Sequence, residues 1–173
     1  MTRYVELRRH TDNDGDVLTP QGVRAALDIG GHLSGGYHVL VSSGAQRATQ
    51  TLGCFLAALG QTVPAGVVVE PALRSQVEDR WRDAYRKAGS GDLAALASAD
   101  PELVDQESAT LGAALGRVLD ALPDGGRALV VGHSPTNEAA VLGLTGQTIP
   151  AMAKGAGVVV AADQHGFRVD ALP

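Results

Sequence analysis

Five short apolar runs alternate with longer stretches of helical periodicity, and this alternation most constrains what the chain can become. The runs are Tyr4-Val5-Glu6-Leu7, Val39-Leu40-Val41, Val67-Val68-Val69, Ala128-Leu129-Val130-Val131 and Gly157-Val158-Val159-Val160-Ala161. Each is short enough for a strand, and Val39-Leu40-Val41, β-branched and ending in Ser42-Ser43, suits a parallel strand buried on both faces. Between the first two, Thr19-Pro20 is a helix start, with Thr19 as N-cap and Pro20 at the first helical position. Val23, Ala26, Leu27 and Leu33 follow as one expected apolar face, and Gly35-Gly36 is the stop. Residues 45–59 carry helical spacing closed by Gly60, and residues 101–122 and 135–144 read as further helices. Strands separated by helices call for a mostly parallel central sheet covered on both sides. The expected class is α/β, a three-layer α/β/α sandwich.

With 173 residues the chain falls within the usual range of one domain, and one domain over 1–173 is expected. Hydrophobic residues make up 45% of it and aromatics only 3%, so the core must be built from Ala, Val and Leu rather than rings. A helical, highly charged segment over about 74–105, broken at Gly89-Ser90-Gly91, reads as an insertion packed over the sheet. Its Arg74, Arg80, Arg82, Arg86 and Lys87 interleave with Glu78, Asp79 and Asp83, which favours a salt-bridged exposed face.

Several function classes drop out. A formal charge of −5 with no basic stripe argues against nucleic-acid binding, so any anion site must be local. No apolar run approaches the roughly 18–20 residues of a membrane span, and no membrane partner is expected. Met1-Thr2-Arg3-Tyr4 is expected to enter the first strand at once. A single cysteine, Cys54, excludes an intrachain disulfide and is expected as a buried structural thiol in a reducing compartment; a cytoplasmic location follows as the default expectation.

Three of the strands, over 3–8, 37–42 and 127–131, deliver Arg or His just beyond their carboxyl ends, the edge where open α/β sheets bind ligands. The segments are Arg9-His10, Ser42-Ser43-Gly44-Ala45-Gln46-Arg47 and Gly132-His133-Ser134. Arginine presents a planar fork of donors that matches pairs of phosphate oxygens, and Arg9 with Arg47 can make such a clamp. A histidine beside it can attack phosphorus through one ring nitrogen when an acceptor holds the other, a role that falls to His10. His133 would then stabilise charge on the transferring oxygens. Asn13 and Ser43 are candidate substrate contacts. Neither a metal nor a cofactor is needed by this scheme. His32, His38 and His165 lack partners and read as surface or strand-end residues.

These residues resemble the histidine phosphatase superfamily, also called phosphoglycerate mutase-like. The likeness rests on Arg9-His10, the stretch Leu18-Thr19-Pro20-Gln21-Gly22-Val23-Arg24-Ala25-Ala26, Ser42-Ser43 with Arg47-Ala48-Thr49-Gln50-Thr51, and Val131-Gly132-His133, four elements in the family's order. The resemblance implies a phosphoglycerate mutase-like fold, transient phosphorylation of His10, and a phosphate pocket completed by Arg9, Arg47 and His133. It implies a phosphatase acting on a phosphomonoester or a phosphohistidine, with a phosphorylated small molecule or phosphoprotein as partner.

The chain departs from that pattern at three places. Thr11 replaces the usual glycine after the nucleophile, and Gly44 replaces the proline after the paired serines. The glutamate that serves many members as general acid, two residues after a leucine, is missing, since Leu73 is followed by Arg74 and Ser75. Val69-Glu70-Pro71-Ala72-Leu73 is similar instead to the short phosphohistidine phosphatase subgroup, which also lacks it. Leaving groups of low pKa need less proton donation; Glu78 or Asp79 is a candidate displaced donor.

Other readings compete for the same residues. Ser134 in Gly132-His133-Ser134-Pro135-Thr136 resembles the nucleophile elbow of serine hydrolases. The elbow's last glycine is Thr136, however, and fewer than about forty residues follow to supply an acid and a base. Metal hydrolysis would want paired His spacing that does not occur. Mutase activity needs walls that trap the product, for which there is only the one insertion. A weakly active protein that binds a phosphorylated ligand stays open as the alternative.

Overall fold

The run Arg127–Gly132 forms β6, the sixth of eight strands in chain order, in the middle of a six-stranded sheet of a computed structural model that describes residues 1–173. In chain order the other strands are β1 (Arg3–Arg9), β2 (Asn13–Asp14), β3 (Val17–Leu18), β4 (Val39–Ser42), β5 (Val67–Val69), β7 (Gly157–Asp163) and β8 (Gly166–Ala171). The helices are α1 (Pro20–His32), α2 (Gln46–Leu59), α3 (Glu78–Ala88), α4 (Leu93–Ala99), α5 (Pro101–Asp120) and α6 (Thr136–Thr145). The sheet order is β5-β4-β6-β1-β7-β8, with the first four strands mutually parallel, β7 antiparallel to β1 and β8 antiparallel to β7, while β2 and β3 pair as a separate small hairpin.

The two faces of β6 show why the sheet lies between layers. Successive strand residues point to opposite sides. Leu129 and Val131 join Ala26, Leu40, Ala48, Leu52 and Phe55 in a small core under α1 and α2, whereas Ala128 and Val130 join a larger core with side chains of α3 to α6. The α/β class with a mostly parallel sheet and helices on both sides therefore holds. Its aliphatic composition holds as well: Phe55, Trp81 and Tyr37 are the only rings of Phe, Tyr or Trp in the core.

Helix α1 starts as expected, with the Thr19 hydroxyl accepting from the Gly22 amide and Pro20 opening the helix. Its buried face agrees only in part with the apolar pattern. Ala26 is buried as expected, but Val23 and Leu27 are 36% and 42% exposed, and Gly22 and Gly30 turn inward in their place. A Cβ at Gly30 would come within 2.9 Å of the Phe55 Cα, so glycine allows α1 and α2 closer approach than the apolar pattern suggests. On the opposite side α5 and α6 meet through Gly112 and Gly143, where a Cβ at Gly112 would lie 2.6 Å from the Gly143 carbonyl carbon.

The charged segment forms α3 and α4 with Gly89 as a left-handed cap between them, close to the expected break. Strand β8 and the β2–β3 hairpin had no counterpart in the sequence reading. Cys54 is half-buried on α2, less enclosed than expected, and burial pushes its thiol up. No helix is long and apolar enough to cross a membrane.

Candidate active site

The register of the parallel strands brings the three predicted segments to one edge. Arg9, the last residue of β1, pairs with Gly132, the last of β6, and Ser42, the last of β4, pairs with Val131. His10, Ser43 and His133 each follow directly. The His10 amide donates to the Gly132 carbonyl and the Ser43 amide to the Val131 carbonyl, so the backbone hydrogen bonding continues into the site.

The two histidines stand side by side, ring centroids 5.3 Å apart and planes inclined by 59°. His10 is 5% exposed, and its Nδ1 lies 2.8 Å from the Thr11 carbonyl oxygen. A carbonyl only accepts, so Nδ1 must carry the proton and Nε2 keeps its lone pair. Thr11 is held in turn: its amide donates to Thr51 Oγ1 at 3.2 Å and its hydroxyl to the Gly22 carbonyl at 2.8 Å. His133 is oriented through Nε2, which lies 2.7 Å from the Ser43 hydroxyl, while its Nδ1 is buried without a partner.

Four cations surround the pair, each tied to a partner that sets its position. Arg9 Nη1 donates to the Met152 carbonyl at 2.9 Å, Arg47 Nη1 to Asp16 Oδ1 at 2.8 Å, Arg74 Nε to Glu78 Oε1 at 2.7 Å and Lys154 Nζ to Asp12 Oδ1 at 2.8 Å. Burial, followed by the field of Arg47, Arg9 and Lys154, lowers His10 to about 4 against the pull of the Thr11 carbonyl. His133 is lowered to about 3 by burial, then by Arg47, His10 and Arg74. Both rings are therefore neutral at pH 7 in a pocket of positive potential, the arrangement an anionic substrate with an electrophilic centre would meet.

The sequence matches the model of the histidine phosphatase superfamily, branch 1, over residues 2–170. The chain belongs to that superfamily. No curated protein matches it by sequence. Among solved structures it is similar to a phosphoglycerate mutase of Bacillus anthracis strain Sterne, with a TM-score of 0.75 at 18% identity over 99% of this chain and 92% of that one. The protein histidine phosphatase SixA, complexed with tungstate, superimposes with a TM-score of 0.59 at 22% identity, covering 98% of this chain and 94% of the other. A phosphoserine phosphatase variant of Entamoeba histolytica in complex with phosphoserine gives 0.67 at 14% identity, with 96% and 94% covered. At these identities the likeness is one of fold.

The remaining predicted positions fall differently around this histidine phosphatase site. Glu78 lines a cavity beside Arg47 and His133, whereas the Asp79 side chain is exposed, paired with Arg82, and outside that cavity. Ser43 faces inward and orients His133. Asn13 turns away, donating to the Gly15 carbonyl at 2.8 Å. Ser134 donates to Glu138 Oε1 at 2.6 Å and precedes a cis peptide bond to Pro135. Gly44 takes φ +93°, which a proline ring, fixed near about −65°, cannot adopt, so the turn after the serines differs from the family's pattern in backbone as well as in sequence.

Two carboxylates were missed. Asp16 caps α2, a helix with no capping side chain of its own: Oδ2 accepts from the Gln46 amide at 3.2 Å and Oδ1 from the Arg47 amide at 3.3 Å. Burial raises Asp16, but the hydrogen bonds from these amides and from the Arg47 guanidinium outweigh it and hold the carboxyl below its ordinary range. Glu138 is fully buried in α6 and accepts from Ser134 and from the Met152 amide, the residue whose carbonyl seats Arg9. A lone carboxylate before Ala139-Ala140-Val141, four residues after Ser134, was the available signal.

Proposed function

We propose that the protein is a phosphatase that hydrolyses a phosphomonoester or phosphohistidine through a covalent intermediate on His10. The observation that carries this reading is the His10 Nδ1 bond to the Thr11 carbonyl, which leaves Nε2 as an unprotonated nucleophile between arginines.

In the first step Nε2 attacks phosphorus, the N–P bond forms, and the bond to the leaving group breaks with its electron pair. Arg9, Arg47 and His133 hold the phosphoryl oxygens, where stabilisation counts most. Water then attacks the phosphohistidine, the N–P bond breaks, and inorganic phosphate departs. Each displacement inverts configuration, so the outcome is net retention at phosphorus.

A second reading has an observation in its favour. Both carboxylates nearest the pocket, Glu78 and Asp16, are bonded to arginines, so either must release its partner before serving as a proton donor. A protein that binds a phosphorylated ligand and turns over weakly would tolerate this. Comparing wild type with His10→Ala on 4-nitrophenyl phosphate and on a phosphohistidine peptide separates the two. Turnover lost in the variant supports the phosphatase; binding of phosphate without turnover in the wild type supports the weak binder; equal turnover by both proteins rejects the role of His10.

A further inference from the structure

The cavity beside Arg47 and His133 is a slot, about 230 Å3 in volume, between the turn at Ser134-Pro135-Thr136 and helix α3. Its α3 wall carries Trp81 and Tyr85, one helical turn apart and therefore on the same face. The chain has six Phe, Trp and Tyr residues in all, two, one and three respectively, so two of its few rings stand at this one place. Trp81 is fixed, 4% exposed, with its indole N–H donating to Glu107 Oε2 at 3.0 Å. Tyr85 is 54% exposed although large and aromatic, and it is close enough to Arg9 to act on that guanidinium's charge. Pro135 lines the same cavity.

A cavity that sets two rings and a proline among the charged Arg47, Glu78 and Arg82, and shares Arg47 and His133 with the phosphate clamp, suits a flat leaving group on a phosphate. Its volume is below the roughly 300–1,000 Å3 of sites for drug-sized ligands, which limits the occupant to about one ring. The proton-donor problem points the same way. A phenol, with a pKa of about 10, leaves as its anion far more readily than an alcohol, so it makes little demand on a carboxylic acid. Both available carboxylates are engaged with arginines.

Resting on the phosphatase reading above, we propose that this slot is a leaving-group subsite for a small aryl phosphate, with Tyr85 and Trp81 forming its ring-binding wall. In the reaction the aryl O–P bond breaks as the His10 N–P bond forms; the aryl oxide leaves with the electron pair and takes its proton from water.

Trp81 is the chain's only tryptophan, so its fluorescence reports the slot directly. His10→Ala protein is titrated with phenyl phosphate and with inorganic phosphate. Phenyl phosphate is expected to change the emission saturably and more strongly than phosphate does; identical responses overturn the subsite. In the wild-type background, Tyr85→Ala is expected to lower the ratio of kcat/KM for phenyl phosphate to that for acetyl phosphate about fivefold, the size of one aromatic contact. An unchanged ratio overturns the role of Tyr85. Faster turnover of a phosphohistidine peptide than of phenyl phosphate by the wild type overturns the small aryl substrate. Failure of the phosphatase reading shows separately, as equal hydrolysis by wild type and His10→Ala, while the fluorescence titration still decides whether the slot takes a ring.

Discussion

The imidazole of His10 is fixed by its own neighbour: Nδ1 donates to the Thr11 carbonyl at 2.8 Å. Thr11 in turn is anchored to Thr51 and Gly22, so the tautomer of the proposed nucleophile depends on a residue where the family pattern has glycine.

The neutral ring gives a pH prediction. His10 is lowered to about 4, mainly by burial, so Nε2 keeps its lone pair well below neutrality. kcat/KM for a substrate whose own ionisation is corrected for should hold level from pH 8 down to about 5 and fall only as His10 protonates near 4. A pH–rate profile checks this, and an acid limb near the ordinary histidine value of about 6.5 contradicts it.

Stability should follow the same protons. The folded-state values of His10 and His133 lie at about 4 and about 3, below the value of about 6.5 for an unfolded histidine. Between those limits the unfolded chain binds more protons than the folded one. The contribution is therefore complete above about pH 6.5 and is lost as pH falls toward 4. Thermal melts should show Tm dropping over that window, less steeply in His10→Asn than in wild type. Parallel slopes in the two proteins would remove His10 from the effect.

Asp16 serves α2 twice, as cap and as partner of Arg47. Asp16→Ala should cost about 1 kcal/mol, the usual loss of a helix cap. The same change should tighten inhibition by vanadate a few-fold, about the effect of removing one partly exposed opposing charge. Chemical denaturation and inhibition constants measure both. Weaker vanadate inhibition would show that Asp16 holds Arg47 in its binding pose rather than competing for it.

Glu138 joins the two histidine-site segments through Ser134 and Met152. Glu138→Ala would leave the buried Met152 amide without an acceptor, at about 1–3 kcal/mol, and would release the half-buried Ser134 hydroxyl at a smaller cost. Urea unfolding should show a loss of that order, with Glu138→Gln, which keeps the acceptor oxygen, losing less. Equal losses in the two variants would mean that the charge, not the hydrogen bonds, is what matters.

Much of the fold was legible because local signals agreed with tertiary ones. The Thr19-Pro20 start, the valine runs and the Gly60 and Gly89 stops all act within a few residues, and each formed where expected. Arg9, His10 and His133 could be placed together because strand ends put them on one edge, and Arg47 because α2 begins just beyond the end of β4. What stayed hidden depends on approach between distant segments. Val23 and Leu27 stay exposed because glycines bring α1 close to α2, and Asp16 becomes a cap only when its loop folds over Arg47. Trp81 and Tyr85 sit in a charged helix whose sequence looked like a solvated face, and only the position of α3 over the turn at Ser134 makes them line a cavity there.

The most direct test is trapping of the intermediate. Wild-type protein mixed with 4-nitrophenyl phosphate, quenched in base and digested, should yield a peptide carrying an acid-labile phosphoryl group on His10. Turnover with no phosphoryl group at His10, or with one on Ser134 instead, would contradict the mechanism.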